Sequence, residues 1–245
     1  DEIFSENESN IEIRVYNVDQ GNMNTIHLSD QVILYDWGTD IPSRLIGTPS
    51  HLNLSDIRVI FLSHHHQDHY NIFVNQAFPR LKYLVMPNGV FHHSIANFLR
   101  RHPRVIPIVL PLSRPRRTTY ISSVSKLDIF VGPRTATNIN NEGIIINVHD
   151  SEMIKSLTGD MFWYLYMQTL RRYWHSVVNY VVPHHGGIIG RIIPSPLHRF
   201  DLCIYSYGFN NRHHHPDPST VSMLSGFTIN RLDTVNIRQY DYYNL

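Results

Sequence analysis

Along the first hundred residues, apolar positions fall into short runs separated by polar turns. In "IEIRVYNV" they alternate with polar positions, the period of a half-buried strand, and "DQGN" then turns the chain. "TIHL" and "VILYDWG" follow as further strands. "DIRVIFLSH" is a continuous β-branched run that ends in polar residues, the pattern of a strand buried on both faces that emerges at a site. "LKYLVMP" repeats it, and "SIANFLRRH" predicts a helix with Ile95, Phe98 and Leu99 on one face.

The second half restarts with strands at "KLDIFVGP" and "GIIINVHD" and continues through "IKSLTGD". A helix is predicted over about Met161–His175, with core packing as the default role of Trp163, Tyr164, Tyr166 and Trp174. Then come "VVNYVVPHHGG", "LCIYSYG", a helix at "PSTVSMLSG" and a last strand near "TVNIRQY". The halves are alike in plan without a residue-level repeat. The Pro- and Arg-rich "PLSRPRR" is the best boundary between them, read as a loop within one domain. The expected organisation is an N-terminal extension over 1–10 and a single domain over 11–245.

Composition narrows the class. The chain has 245 residues, 42% of them hydrophobic, which suffices for a core. No apolar run reaches membrane-spanning length, and the acidic opening "DEIFSENESN" is unlike a signal peptide. Cys203 is the sole cysteine, which excludes an internal disulfide and suits a reducing compartment; a cytoplasmic location is expected. Net charge is only +1, yet no Asp or Glu lies between His69 and Leu127. That stretch carries Arg80, Lys82, Arg100, Arg101, Arg104, Arg114, Arg116, Arg117 and Lys126. Such asymmetry favours an anionic partner, single-stranded DNA or RNA among them, and competes with a plain solvated surface.

The candidate chemistry lies in the histidines, 17 in all and clustered. "SHHHQDHY" follows a buried strand directly. A chain leaving a strand aims alternate side chains at one point, so His64 and His66 share one ion while Asp68 and His69 turn toward a second, with His65 and Gln67 pointing away. Imidazole and carboxylate together suit Zn²⁺ or Mn²⁺. Asp160, at the end of "LTGD", is placed to bridge two ions. His184 and His185 stand at another strand end, followed by glycines that permit a tight turn. His92 and His93 precede a helix, where surface placement is favoured.

These motifs resemble the metallo-β-lactamase fold and, within it, the ComEC-like hydrolases: the hydrolase domain of the bacterial DNA-uptake channel protein and its standalone relatives. The matching elements, in the family's order, are "VYNVDQGNMNTI", "ILYDWG", "LSHHHQDHYN", "NINNEGIIIN", "LTGDM", "VVPHHGG" and "SYGFNNRHHHPDPSTVSML". The resemblance implies a four-layer αβ/βα sandwich with two divalent metal ions at the edge of two facing sheets. It implies that His64 and His66 hold one metal, that Asp68, His69 and His185 hold the other, and that Asp160 bridges. His184 would be an outer-sphere or substrate contact, although sequence leaves open which of the two adjacent histidines binds metal. His215, in a His-Pro-x-Pro context, matches a position near the substrate, with at most one of His213 and His214 joining it. Asn140 and Asn141 match the family's Asn-Asn element, where other enzymes of this fold supply a third histidine to the first metal; substrate contact is their expected role. Asp68, His184 and His215 are thus the candidate catalytic residues.

The chain departs from the family at Asp19, which replaces a glycine, and at Asn17 and Asn22, which replace aspartates. His149 is a candidate for the missing third histidine, although "VHDSE" reads more naturally as a hairpin turn. The function implied is a binuclear metal-dependent hydrolase, a phosphodiesterase or nuclease in which two ions acidify a bridging water. A small-molecule phosphoesterase and a weakly active metal-binding sensor are the alternatives. A basic cleft running past the metals favours a nuclease, and a closed pocket favours a small substrate.

Overall fold

The computed structural model describes residues 11–19, 21–40, 47–89, 92–111, 117–120, 125–133, 139–150, 153–171, 173, 175–191, 193, 197–209 and 213–245. Arg114, Arg116 and Trp174 lie outside these residues, as does the proposed extension over 1–10. In chain order the strands are β1 (Glu12–Tyr16), β2 (Met23–His27), β3 (Val32–Trp37), β4 (Ile57–Phe61), β5 (Tyr83–Pro87) and β6 (Ile106–Leu110). Then follow β7 (Arg117–Tyr120), β8 (Ser125–Val131), β9 (Ile144–Asp150), β10 (Met153–Leu157), β11 (Val177–Val181), β12 (Arg199–Tyr205), β13 (Thr228–Asp233) and β14 (Tyr242–Asn244). The helices are α1 (His93–Arg101), α2 (Trp163–Leu170) and α3 (Pro218–Ser225).

The strands form two seven-stranded sheets, ordered β14-β1-β2-β3-β4-β5-β6 and β13-β12-β11-β10-β9-β8-β7. Both follow one plan: β14 through β3, and β7 through β10, pair antiparallel, and the remaining strands of each sheet pair parallel. The similarity of plan read from the sequence is therefore a similarity of pairing. The switch between sheets falls between β6 and β7, at "PLSRPRR".

Side-chain alternation explains the layers. Ile33, Tyr35, Val59, Phe61 and Val85 of the first sheet meet Ile144, Ile146, Val148, Leu157 and Val181 of the second in a shared inner core. The intervening Leu34, Ile60, Leu84 and Met86 point outward and are covered by Ile95 and Phe98 of α1. Ile154, Val178, Tyr180 and Phe200 are likewise covered by Trp163, Leu165, Tyr166 and Leu170 of α2 and Leu224 of α3. Because both faces are buried, the strands read as continuous apolar runs. This gives the four layers, helix–sheet–sheet–helix. No helix among the described residues is long and apolar enough to cross a membrane.

Two local expectations are corrected, and His149 falls where the hairpin reading of "VHDSE" puts it, between antiparallel β9 and β10. The helix predicted to reach His175 ends at Leu170, because the Tyr173 amide turns back to the Leu170 carbonyl and the His175 amide donates to Leu197 instead. The strand predicted near residues 234–240 is a 3₁₀ turn over Thr234–Asn236 between β13 and β14. There the Thr234 hydroxyl bonds to the Tyr207 backbone, and the Asn17 side chain donates to the Ile237 carbonyl. His149 is not near the candidate metal ligands: it pairs with Ile154, near the start of β10, whereas Asp160 follows the end of that strand. It sits beside Asp128 at 3.4 Å and against the Tyr173 ring.

Trp163 anchors α2. It is buried, with Tyr166, Tyr180, Phe200 and Phe227 around its ring, and its indole N–H donates to the Ile193 carbonyl. Trp163→Ala is expected to cost about 3–5 kcal/mol through the cavity left in this layer. Urea unfolding followed by circular dichroism measures it, and a loss under about 1 kcal/mol would show that the layer collapses around the gap.

Candidate metal centre

The site is built where parallel strands end, the usual place for a ligand in such sheets. The loop after β4 carries His64, His66, Asp68 and His69; the turn after β10 carries Asp160; the turn after β11 carries His184 and His185. Their approach depends on residues without side chains. A Cβ on Gly38 would lie 2.5 Å from the Asp68 carbonyl carbon, and one on Gly159 would lie 2.9 Å from the Ser63 Cβ. The loop carrying Asp19 also holds its shape. Asp19 adopts φ 62°, a left-handed conformation that Asp tolerates better than most side chains, and the Asn17 side chain accepts its amide. From this loop the Asn22 amide reaches the Asp68 carbonyl at 3.3 Å.

The centre is organised about the Asp160 carboxylate. Its Oδ1 lies 3.3 Å from His69 Nε2 and 3.6 Å from His185 Nε2. Its Oδ2 lies 3.4 Å from His64 Nε2 and 3.9 Å from His184 Nε2. Asp68 Oδ2 completes the first side, 3.5 Å from His185 Nε2 and 3.9 Å from His69 Nε2. His66 Nδ1 stands 3.0 Å from His64 Nε2, on the other side. Two triads have ligand atoms mutually within 4.8 Å: His64, His69 and Asp160, and Asp68, His69 and His185. His69 thus belongs to both, where the sequence assigned it to one.

These separations suit a metal. Donors about 2.0–2.2 Å from a tetrahedral ion lie roughly 3.3–3.5 Å from one another, longer than a hydrogen bond. His69 Nε2, His185 Nε2 and Asp160 Oδ1 are buried and lack a hydrogen-bond partner. Each such orphan costs about 1–3 kcal/mol, and one cation among them would satisfy all three.

The opposite ring nitrogens are fixed. His69 Nδ1 faces Asp36 Oδ2 at 2.8 Å, while Asp36 Oδ1 accepts the Ser63 amide. His185 Nδ1 donates to the Ser206 carbonyl at 2.8 Å, and Ser63 Oγ lies 3.0 Å from His64 Nδ1. Such bonds select the tautomer that leaves Nε2 as the ligand atom. Asp36, Ser63 and Ser206 were not singled out from sequence. Only Asp36, a carboxylate in the otherwise apolar "VILYDWG", carried a signal.

The electrostatics follow from burial and crowding. Burial alone would push the Asp160 and Asp68 carboxyls up; the imidazoles of His69 and His185, and of His64 at Asp160, outweigh it and hold both below the ordinary range. Burial opposes a charge on His69, yet Asp160, Asp36 and Asp68 together hold its pKa well above the ordinary value. His185 is raised in the same way by Asp160 and Asp68. At His66 and His215 the carboxylates are outweighed: burial first, and neighbouring imidazoles after it, lower each to about 4.

A cavity of about 290 Å³ opens over these groups, lined by Thr39, Asp40, His66, Gln67, Asp68, Asn71, Asp160, His184, His185, His213 and His215. His215 meets His184 edge-on and stacks on His213, with ring centroids 5.2 and 5.7 Å apart. His213 faces Asp40 at 2.9 Å. Gln67 lies on the wall rather than pointing away, because the 3₁₀ turn Gln67–His69 breaks strand alternation. His65 does turn aside, toward the Pro87 carbonyl. Asn140 and Asn141 are buried outside the cavity lining, and Asn141 Oδ1 accepts the Phe162 amide just beyond Asp160. His92 caps α1 through the Ser94 amide. No Arg or Lys is among the described residues lining the cavity.

No protein-family model matches this sequence, and neither does any curated protein sequence. Solved structures do resemble it. The isothiocyanate hydrolase from Delia radicum gut bacteria superposes with a TM-score of 0.56 at 13% identity, over 96% of this chain and 98% of its own. The metallo-β-lactamase fold protein YhfI from Bacillus subtilis gives 0.53 at 11% identity, over 96% and 100%. Zn²⁺-bound PqqB from Methylobacterium extorquens gives 0.50 at 11% identity, over 92% and 87%. Two facing mixed sheets, flanked by helices and carrying a His/Asp cluster at the strand ends, define the class. The chain has the metallo-β-lactamase fold.

Metal uptake is expected to release protons, since His69 and His185 hold theirs more tightly than ordinary imidazoles and must lose them to coordinate. Apparent affinity for Zn²⁺ should therefore rise with pH above the ordinary imidazole value of about 6.5. Calorimetric titrations in buffers of different ionisation enthalpy count the protons, and a heat independent of buffer would contradict this charge state.

Proposed function

We propose that the protein is a binuclear metal-dependent hydrolase of phosphodiesters, of the ComEC-like kind. The observation that carries this reading is the division of Asp160, one oxygen facing His69 and His185 and the other facing His64 and His184. His64, His66, Asp68, His69, His185 and Asp160 would hold divalent ions, Zn²⁺ or Mn²⁺ by the donor chemistry, which would acidify water and withdraw charge from a phosphoryl oxygen. The residues around them do the rest. Asp36, Ser63 and Ser206 hold the rings in register. His215, on the cavity wall, contacts the developing negative charge or passes a proton to the leaving oxygen. Its low pKa, set first by burial, keeps it neutral at pH 7 in the free protein; an arriving phosphate would raise it. The isothiocyanate hydrolase and Zn²⁺-bound PqqB of the same fold support a metal-dependent hydrolase in general. The phosphodiester rests on the motif resemblance and the basic stretch.

A second reading, hydrolysis of a small phosphoester, draws on one observation: the described lining is histidine, carboxylate, amide and Thr39, without Arg or Lys. Arg80, Lys82, Arg100 and Arg104 are exposed outside that lining, and Arg101 donates to the Val74 carbonyl.

Asp160→Asn is expected to keep the fold and lower kcat/KM on bis-p-nitrophenyl phosphate by at least about a hundredfold, because a neutral amide bridges cations poorly. Wild-type turnover in that variant would overturn the assignment. Affinity for single-stranded DNA should fall with salt by roughly 0.7 log units per log unit for each phosphate neutralised. A flat salt response alongside good turnover of the small diester would favour the second reading.

A further inference from the structure

The turn after β11 holds two adjacent histidines that reach opposite oxygens of one carboxylate. His185 Nε2 approaches Asp160 Oδ1 at 3.6 Å, and His184 Nε2 approaches Oδ2 at 3.9 Å. Neighbouring side chains on an extended strand point to opposite faces and could not do this. The backbone here is not extended: His184 and His185 both adopt φ 53°, and Gly186 follows at φ 82°. A left-handed residue with a side chain costs roughly 1–2 kcal/mol, and two in succession persist only where the surroundings enforce them. The enforcing bonds are present. The His184 amide donates to the Gly159 carbonyl at 3.0 Å, beside Asp160, and the Gly187 amide donates to the His184 carbonyl at 2.6 Å. His184 Nδ1 faces the Ile188 carbonyl at 3.4 Å, which leaves Nε2 as the nitrogen with a free lone pair.

The side of the centre that His184 faces is the one with fewer groups, since Asp68 stands only on the side of His69 and His185. It has His64, His66 and Asp160 Oδ2, and the Asn140–Asn141 turn offers no imidazole. Asn141 is instead engaged with the Phe162 amide. The 3.9 Å between His184 Nε2 and Asp160 Oδ2 equals the spacing of His69 and Asp68 on the other side. We propose that His184 is a metal ligand, supplying the third imidazole of the His64–His66 site, so that the His184–His185 pair is divided between two ions. Substrate contact then falls to His215. This inference rests on the two-metal reading above.

The test uses metal-free chain titrated with Co²⁺, followed by calorimetry and by visible d–d absorption, in the wild type, His184→Asn, His184→Gly and His215→Asn. Asn and Gly both tolerate the left-handed backbone, so these variants keep the turn. Far-UV circular dichroism and the Tm of the metal-free chains check that they do. The wild type and His215→Asn are expected to bind two ions. Both His184 variants should hold one ion with unchanged affinity and bind the other at least about tenfold more weakly, with an altered spectrum. Two ions at wild-type affinity in folded His184 variants would overturn the ligand role and leave the two-metal reading standing. A wild-type chain that binds fewer than two ions would overturn the two-metal reading and the inference with it.

Discussion

A carboxylate buried between two sheets is the constraint around which this structure is arranged. Moving an unpaired carboxylate out of water costs several kcal/mol even after the protein relaxes. Asp160 is almost wholly buried, and so are the His64, His69 and His185 rings that face it. These groups come from three loops spread over residues 64 to 185, so their mutual compensation holds distant loops together. The close approaches at Gly38 and Gly159 follow from that need. The gaps of 3.3–3.9 Å between donors leave the compensation incomplete without a cation.

The two sheets share one pairing plan, and corresponding strands carry corresponding residues. Asp36 lies at the end of β3 and Asp160 just beyond β10, the strands at which each sheet changes from antiparallel to parallel. The next strand of each sheet, β4 and β11, delivers the histidine-bearing loop. The equivalent carboxylates are used differently. Asp36 accepts the Ser63 amide and faces His69 Nδ1, so it orients a ring, whereas Asp160 presents its oxygens to four Nε2 atoms. Cys203, the lone thiol, takes no part: it is buried in the outer core of the second sheet, and burial pushes its pKa up to about 12.

The cavity above this centre has an unusual wall. His66, His184, His185, His213 and His215 line it. His66 and His215 are held neutral by burial rather than charged, so these two rings add polar surface without positive charge. An anion entering such a site would gain its attraction from the centre itself and from any proton the rings then take up. The arginines that make the stretch from His69 to Leu127 so basic lie, where described, outside this lining.

The strands with strong apolar runs, the three helices and the loops bearing His64–His69, Asp160 and His184–His185 were legible in sequence, because burial on both faces and polar residues at strand ends leave a local record. Short edge strands such as β6, β7 and β14 left none: Pro107 interrupts the pattern of β6, and β14 is defined by its pairing with β1. The end of α2 and the turn at Thr234 were decided by hydrogen bonds to distant carbonyls, from the amide of His175 to Leu197 and from the hydroxyl of Thr234 to Tyr207. At the site, sequence determined which side chains were available and that they suit a divalent ion. Only tertiary structure decided how they are shared: that His69 belongs to both triads, that Asn141 is spent on a backbone amide, and that His184 and His185 face different oxygens of Asp160. That division depends on a left-handed turn at two non-glycine residues, which local preference disfavours and only long-range contacts can enforce.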